Sequence, residues 1–116
     1  MNAESIREYC LKKKMVTESF PFGKDALVFK VKGKMFLLLH LNQETVHFNV
    51  KCDPDLAIEL REQYESIQPG YHMNKKLWNT VTVTPSIPVK LIREMIDNSY
   101  TLVVQSLPKK IQEELL

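Results

Sequence analysis

Three runs rich in Val, Leu and Phe follow one another at Ala26 to Lys32, Met35 to Leu41 and Thr45 to Lys51, with breaks of two and three residues between them. Breaks that short join antiparallel neighbours, because a parallel pair needs a crossover of about a dozen residues or more. Gly33-Lys34 suits a two-residue type II′ turn with Gly first, and Asn42-Gln43-Glu44 suits a three-residue connection. Loop length sets register, and register sets faces. With these turns Leu27, Phe29, Val31, Phe36, Leu38, His40, Val46, Phe48 and Val50 share a core face. Val28, Lys30, Lys32, Met35, Leu37, Leu39, Leu41, Thr45, His47, Asn49 and Lys51 then share the opposite one. On that second face the strip Met35, Leu37 and Leu39 reads as a partner surface, a dimer contact or a patch covered by the C-terminal residues. A slip of one residue in either loop inverts the assignment for the strands beyond it.

Helical signals flank this meander. Asn2 is placed to cap a helix from Ser5 to Lys14, with Ile6, Tyr9 and Cys10 on its inner face. Val16 to Ser19 reads as a short strand, and Phe20-Pro21-Phe22-Gly23 as a turn carrying two aromatic anchors. Asp53-Pro54 pairs a capping carboxylate with a proline at the first helical position, so a helix is expected to about Tyr64 with Ala57, Leu60 and Tyr64 inward. Leu77 to Thr84 alternates as a strand does. A helical period returns from Val89 to Leu107 through Ile92, Ile96, Ser99 or Tyr100, and Val103 until Pro108, and Ile111 and Leu115 suit one further turn. The order predicts a single domain over residues 1–116, an α+β two-layer sandwich with an antiparallel sheet and its helices packed on one face.

Composition narrows the function. The apolar and charged fractions, 44% and 26%, are those of a globular protein, and the longest apolar run, Met35 to Leu39, is too short to cross a bilayer. The mixed, charged start of the chain is no signal peptide, so the cytoplasm is the expected compartment and no membrane partner is expected. Cys10 and Cys52 lack CxxC companions and are expected to stay reduced. His40, His47 and His72 show no metal-ligand spacing, and the only glycines, Gly23, Gly33 and Gly70, form no phosphate loop. No enzyme, metal or cofactor is therefore expected. Lys and Arg exceed Asp and Glu by nine to five in residues 1–52 and trail them by seven to nine in residues 53–116. That is a weak basic footprint for a nucleic-acid binder.

The densest chemistry lies in Gly70-Tyr71-His72-Met73-Asn74-Lys75-Lys76-Leu77-Trp78-Asn79. Lys75 and Lys76 can meet phosphates as mobile point charges, and Asn74 and Asn79 carry the paired donor and acceptor that read adenine edges. Tyr71, His72 and Trp78 can stack on bases. In the bland reading Tyr71 and Trp78 plug the sandwich, while the two Asn satisfy turn backbone. Lys30 and Lys32, at period two on one hairpin, form a second candidate cluster, or else are solvated charges that discourage edge pairing.

The same segment, with Phe20-Pro21-Phe22-Gly23, Ser99-Tyr100 and Leu107-Pro108-Lys109-Lys110, resembles the MmcQ/YjbR family over most of the chain. The family pattern is matched at Gly70, Tyr71, His72, Asn74, Lys75, Lys76, Trp78 and Asn79, and departs at Leu77, where the family usually has His. The resemblance implies a two-layer fold similar to secretion chaperones and grouped with frataxin-like proteins. It also implies a small DNA-binding protein. The candidate nucleic-acid-binding set is then Lys30, Lys32, His72, Asn74, Lys75, Lys76 and Asn79, meeting double-stranded DNA mainly through phosphates. The alternative is a protein-interaction or chaperone-like module using the open sheet face.

Overall fold

The computed structural model describes residues 1–42 and 44–115. Helix α1 (Ala3–Leu11) leads into strands β1 (Val16–Ser19), β2 (Ala26–Val31), β3 (Lys34–His40) and β4 (His47–Lys51). Helix α2 (Pro54–Gln63), strands β5 (Ile67–Pro69) and β6 (Trp78–Thr82), and helices α3 (Val89–Gln105) and α4 (Lys109–Glu114) complete the order. The strands form one antiparallel sheet in the order β1-β2-β3-β4-β6-β5. Ile6 and Cys10 of α1, Ala57 and Leu60 of α2, and Ile92, Met95, Ile96 and Val103 of α3 pack with the inward residues of the strands in one core. The expected α+β sandwich, with its helices on one face, is what forms.

The caps are those the sequence advertises. Asn2 accepts from the Ser5 amide at 2.8 Å and Ser5 Oγ reciprocates from the other side, a capping box. Asp53 Oδ2 accepts from the amides of Asp55 and Leu56, with Pro54 at the first helical position. β1 is present as a short edge strand beside β2, and α4 supplies the final turn. β5 is a three-residue strand on the far edge, paired with β6.

The register of the meander differs from the expectation in three places: at the first turn, within β3 and in the pairing of β3 with β4. The hairpin turn is Lys32-Gly33, not Gly33-Lys34: Val31 stands opposite Lys34, and both turn residues have positive φ, 50° and 82°, as a type I′ turn requires. Next, Lys30 faces Met35 while Phe29 faces Leu37, so Phe36 is an extra residue in a β-bulge. The bulge sends Phe36 and Leu37 both to the helix side. Leu37 and Leu39 are thus fully buried in the core, and Leu38 and His40 lie on the opposite face. The exposed strip of Met35, Leu37 and Leu39 does not exist. His40 pairs with His47 rather than with Val46, a second one-residue slip that restores the expected faces in β4. The expected three-residue connection includes Gln43, which lies outside the described residues.

One hydroxyl ties the long helix to the sheet. Ser99, fully buried on α3, donates to the Phe36 carbonyl at 2.5 Å and accepts from the Lys51 amide at 2.8 Å. The bulge frees one of these groups, and the other sits at the end of β4. Replacing Ser99 by Ala should cost about 1–3 kcal/mol, the range for leaving a buried backbone group unpaired. Urea unfolding of the variant measures it, and a loss below a few tenths would show that neither group depends on Ser99.

Candidate binding cleft

The helix-free face is formed by Ala26 and Val28 of β2, Leu38 and His40 of β3, His47 and Asn49 of β4, and Thr80 and Thr82 of β6, as their register pairs require. Leu38 and Asn49 are nonetheless buried, at 7% and 1% exposure. They floor a cleft of about 460 Å³ together with Ala26, Met35 and His40, and its walls are Phe22 on one side and Tyr71, His72 and Met73 on the other.

The 70–77 loop that makes the second wall is fixed from both sides of the sheet. On the helix-free side, Thr80 Oγ1 donates to Asn49 Oδ1 at 2.7 Å and accepts from the Tyr71 amide at 3.0 Å, and Asn49 Nδ2 reaches the Tyr71 carbonyl at 3.5 Å. On the helix side, Arg61 of α2 donates to Asn79 Oδ1 at 2.7 Å, to the Trp78 carbonyl at 3.2 Å and to the Lys75 carbonyl. Asn74 holds the tip as a turn, its Oδ1 accepting from the Lys76 amide and its carbonyl from Leu77 and Trp78. Gly70 is needed at the base, since a Cβ there would stand 2.7 Å from Trp78 Cβ. His72 has φ 59°, in the left-handed region that non-glycine residues seldom occupy, and its ring lies 4.0 Å from that of Tyr71.

The imidazoles on the floor are coupled. The rings of His40 and His47 stack at 4.3 Å. Burial holds the His40 imidazole below its ordinary range, the neighbouring His47 adds to this, and Asn49 opposes them. His40 Nε2 is a buried atom with no hydrogen-bond partner among the described residues.

The sequence candidates fall in different places. His72 and Tyr71 line the cleft. Tyr71 is 65% exposed and so does not plug the sandwich, and Trp78 is half-buried, outside the core, on the same face as Thr80. Lys75 and Lys76 are exposed on the loop tip, beyond the cleft lining. Asn79 is buried on the helix side with its oxygen engaged by Arg61, which leaves it no surface to offer a base edge. Lys30 and Lys32 do not form a period-two pair: Lys30 is half-buried on β2, while Lys32 sits on the turn with its Nζ 3.0 Å from Glu114 Oε2. Leu38, His40 and Asn49 were missed as a site, because the apolar run from Met35 to Leu39 carries no alternation to reveal a bulge. Arg61 looked like an ordinary helix-surface charge.

A two-layer α+β domain with a cleft on the bare face of its sheet is the class that fold and site define. The YjbR family model matches residues 11–102, and the chain belongs to that family. It is 37% identical over 112 residues to YbdF of Escherichia coli O157:H7, covering 97% of this chain and 92% of the relative. With YjbR of Escherichia coli K12 it shares 28% identity over 116 residues, covering 100% and 98%. The crystal structure of Deinococcus radiodurans DR2400, a DUF419 domain, superposes with a TM-score of 0.93 at 37% identity, covering 98% of this chain and 87% of that one. A Pseudomonas syringae protein superposes at 0.76 with 29% identity, covering 88% and 98%.

Two outcomes follow from this geometry. Arg61→Ala leaves the buried Asn79 oxygen without its donor and should cost about 1–3 kcal/mol, with faster amide exchange across residues 70–79; unchanged exchange there would mean the loop does not depend on Arg61. For His40, the folded value lies below the unfolded 6.5, so the unfolded chain binds more protons between the two. Stability should hold above the unfolded value and fall as pH drops through it toward the folded one. His40→Phe should flatten that slope in thermal melts taken at a series of pH values, and an identical slope would clear His40 of the effect.

Proposed function

We propose that this YjbR-family chain is a cytoplasmic binding domain, not an enzyme, and that it binds through the cleft on the helix-free face. The observation that carries the reading is the lining: an apolar floor, two aromatic walls, and a small number of fixed polar groups. At about 460 Å³ the cleft falls within the size range of ligand pockets. Among the described residues its lining offers no carboxylate, thiol or aliphatic hydroxyl, which favours binding over turnover. Cys10 and Cys52 are free and buried, and burial pushes their thiols up to about 12 and about 11, so neither offers a ready thiolate nucleophile.

A second reading, weak phosphate contact with double-stranded DNA, is supported by the exposure of Lys75 and Lys76. Their loop precedes Trp78, which pairs with Lys51, so it projects from the same end of the sheet as the Lys32-Gly33 turn. The dispersal of Lys30 and Lys32 weakens it.

Amide spectra recorded during titration with a fragment library separate the two. Shifts should cluster on Phe22, Leu38, Tyr71 and Met73, and Tyr71→Ala should abolish them without moving the melting temperature, since that side chain is largely exposed. A quiet cleft, together with duplex binding that falls steeply between about 50 and 200 mM salt and is lost in Lys75→Glu with Lys76→Glu, would put the DNA reading in its place.

A further inference from the structure

The cleft withholds charge from its interior and offers it at its mouth. Among the described residues no Lys, Arg, Asp or Glu lines it, so a charge carried inside would lose its hydration without gaining a partner. The floor is pleated sheet with small or apolar side chains, Ala26 and Leu38, and the walls present rings, Phe22 on one side and the Tyr71–His72 pair on the other. Flat floor and ring walls favour a flat aromatic body held by stacking and apolar contact. The polar groups beside the floor are spoken for. Asn49 serves Thr80, the Tyr71 carbonyl and the His40 imidazole, and the lining Asn42 has an interaction of its own. The buried Nε2 of His40 presents no surface to an occupant.

The next row of the same sheet face is cationic. Lys30 stands directly opposite Met35, a lining residue, and Lys51 follows Asn49 at period two and stands opposite Trp78. Both lysines are half-buried, and neither side chain has an ion pair or hydrogen bond among the described residues. No strand carboxylate answers them: Glu18, the one acidic residue in the six strands, stands opposite the core residue Phe29 and is paired with Arg7 of α1. An ammonium drawn partly out of water without a counter-charge attracts an anion more strongly than one on an open surface. The side chains of a cross-strand pair start about 5 Å apart, which sets Lys30 at the mouth beside Met35. Two strand spacings, about 10 Å, separate the backbones of Lys30 and Lys51, within the combined reach of two flexible four-carbon stems. We infer that the cleft takes a small aromatic anion, its ring body over Leu38 between Phe22 and Tyr71 and its carboxylate or phosphate at the mouth between Lys30 and Lys51. The inference rests on the cleft being the binding site, and it adds the class of ligand.

Its test is a matched series on one ring body, followed by amide shifts and by the side-chain methylene resonances of the lysines: naphthoate and naphthyl phosphate, which are anions, naphthamide, which is neutral, and naphthylmethylamine, which is a cation. At least one of the two anions should bind in the cleft roughly tenfold tighter than naphthamide, as a charge-assisted hydrogen bond allows. Which anion binds tighter tells a carboxylate ligand from a phosphate one. That advantage should shrink between about 50 and about 500 mM salt, since the lysines are not fully enclosed. The Lys30 and Lys51 resonances should move with the anion and stay in place with naphthamide. Lys30→Gln with Lys51→Gln should level the series, and Lys30→Arg with Lys51→Arg should restore the preference. Because the wild-type resonances report the same contact, the test does not depend on those variants folding. Equal affinity for naphthamide, preference for naphthylmethylamine, or an anion that moves Lys75 and Lys76 instead would overturn the ligand class while leaving the cleft as a binding site. Silence of all four probes beside positive fragments of another class would do the same. Silence of the whole fragment library as well would overturn both.

Discussion

The β-bulge at Phe36 is the constraint on which the two faces of this domain depend. One additional residue in β3 turns two consecutive large side chains, Phe36 and Leu37, toward the helices. It also places Leu38 and His40 on the bare face. Without it, β3 would offer the core a histidine and lose a leucine. Bulges bend and twist the strand that carries them, and they recur beside functional sites for that reason. Here the same irregularity leaves the Phe36 carbonyl to Ser99, so the packing of α3 is coupled to the residue that shapes the cleft floor.

The loop over that floor is held by groups from both layers. Arg61 reaches it from α2 with three hydrogen bonds, two of them to backbone carbonyls. Asn49 and Thr80 hold it from the sheet. Side chains that look like nucleic-acid contacts in a linear reading therefore divide into roles. Asn74 and Asn79 serve the architecture of the loop, Tyr71 and His72 face the cleft, and Lys75 and Lys76 point to solvent. The backbone strain at His72 fits this arrangement, since uncommon backbone conformations persist where the surroundings over-determine them.

Much of the fold was legible in the chain. Asn2 and Asp53-Pro54 announced their helices, Ile92, Ile96 and Val103 gave the inner stripe of α3, and the short breaks fixed an antiparallel meander. The faces of β3 were not legible. A continuous apolar run offers no period to count, and a turn of Lys-Gly rather than Gly-Lys differs by a single residue with no change in composition. The two slips cancelled at β4, so His47 and Asn49 were assigned correctly for the wrong register. Of the candidate site, the loop was evident from its density of rings and amides. The floor was not, because Leu38, His40 and Asn49 come together only through a register that sequence alone does not reveal.

The margins of the sheet bear on how anything larger could join it. β5 has three residues and ends in Pro69, which has no amide hydrogen to give a neighbouring strand. On the opposite margin β1 has four, and Glu18 within it is clasped by Arg7 of α1 in a two-pronged ion pair. Short strands, a proline and a charged clasp are the means by which proteins blunt open edges. Growth of the sheet by annexing a foreign strand is therefore discouraged at both ends, and the width of the sheet is set at six strands by its own margins.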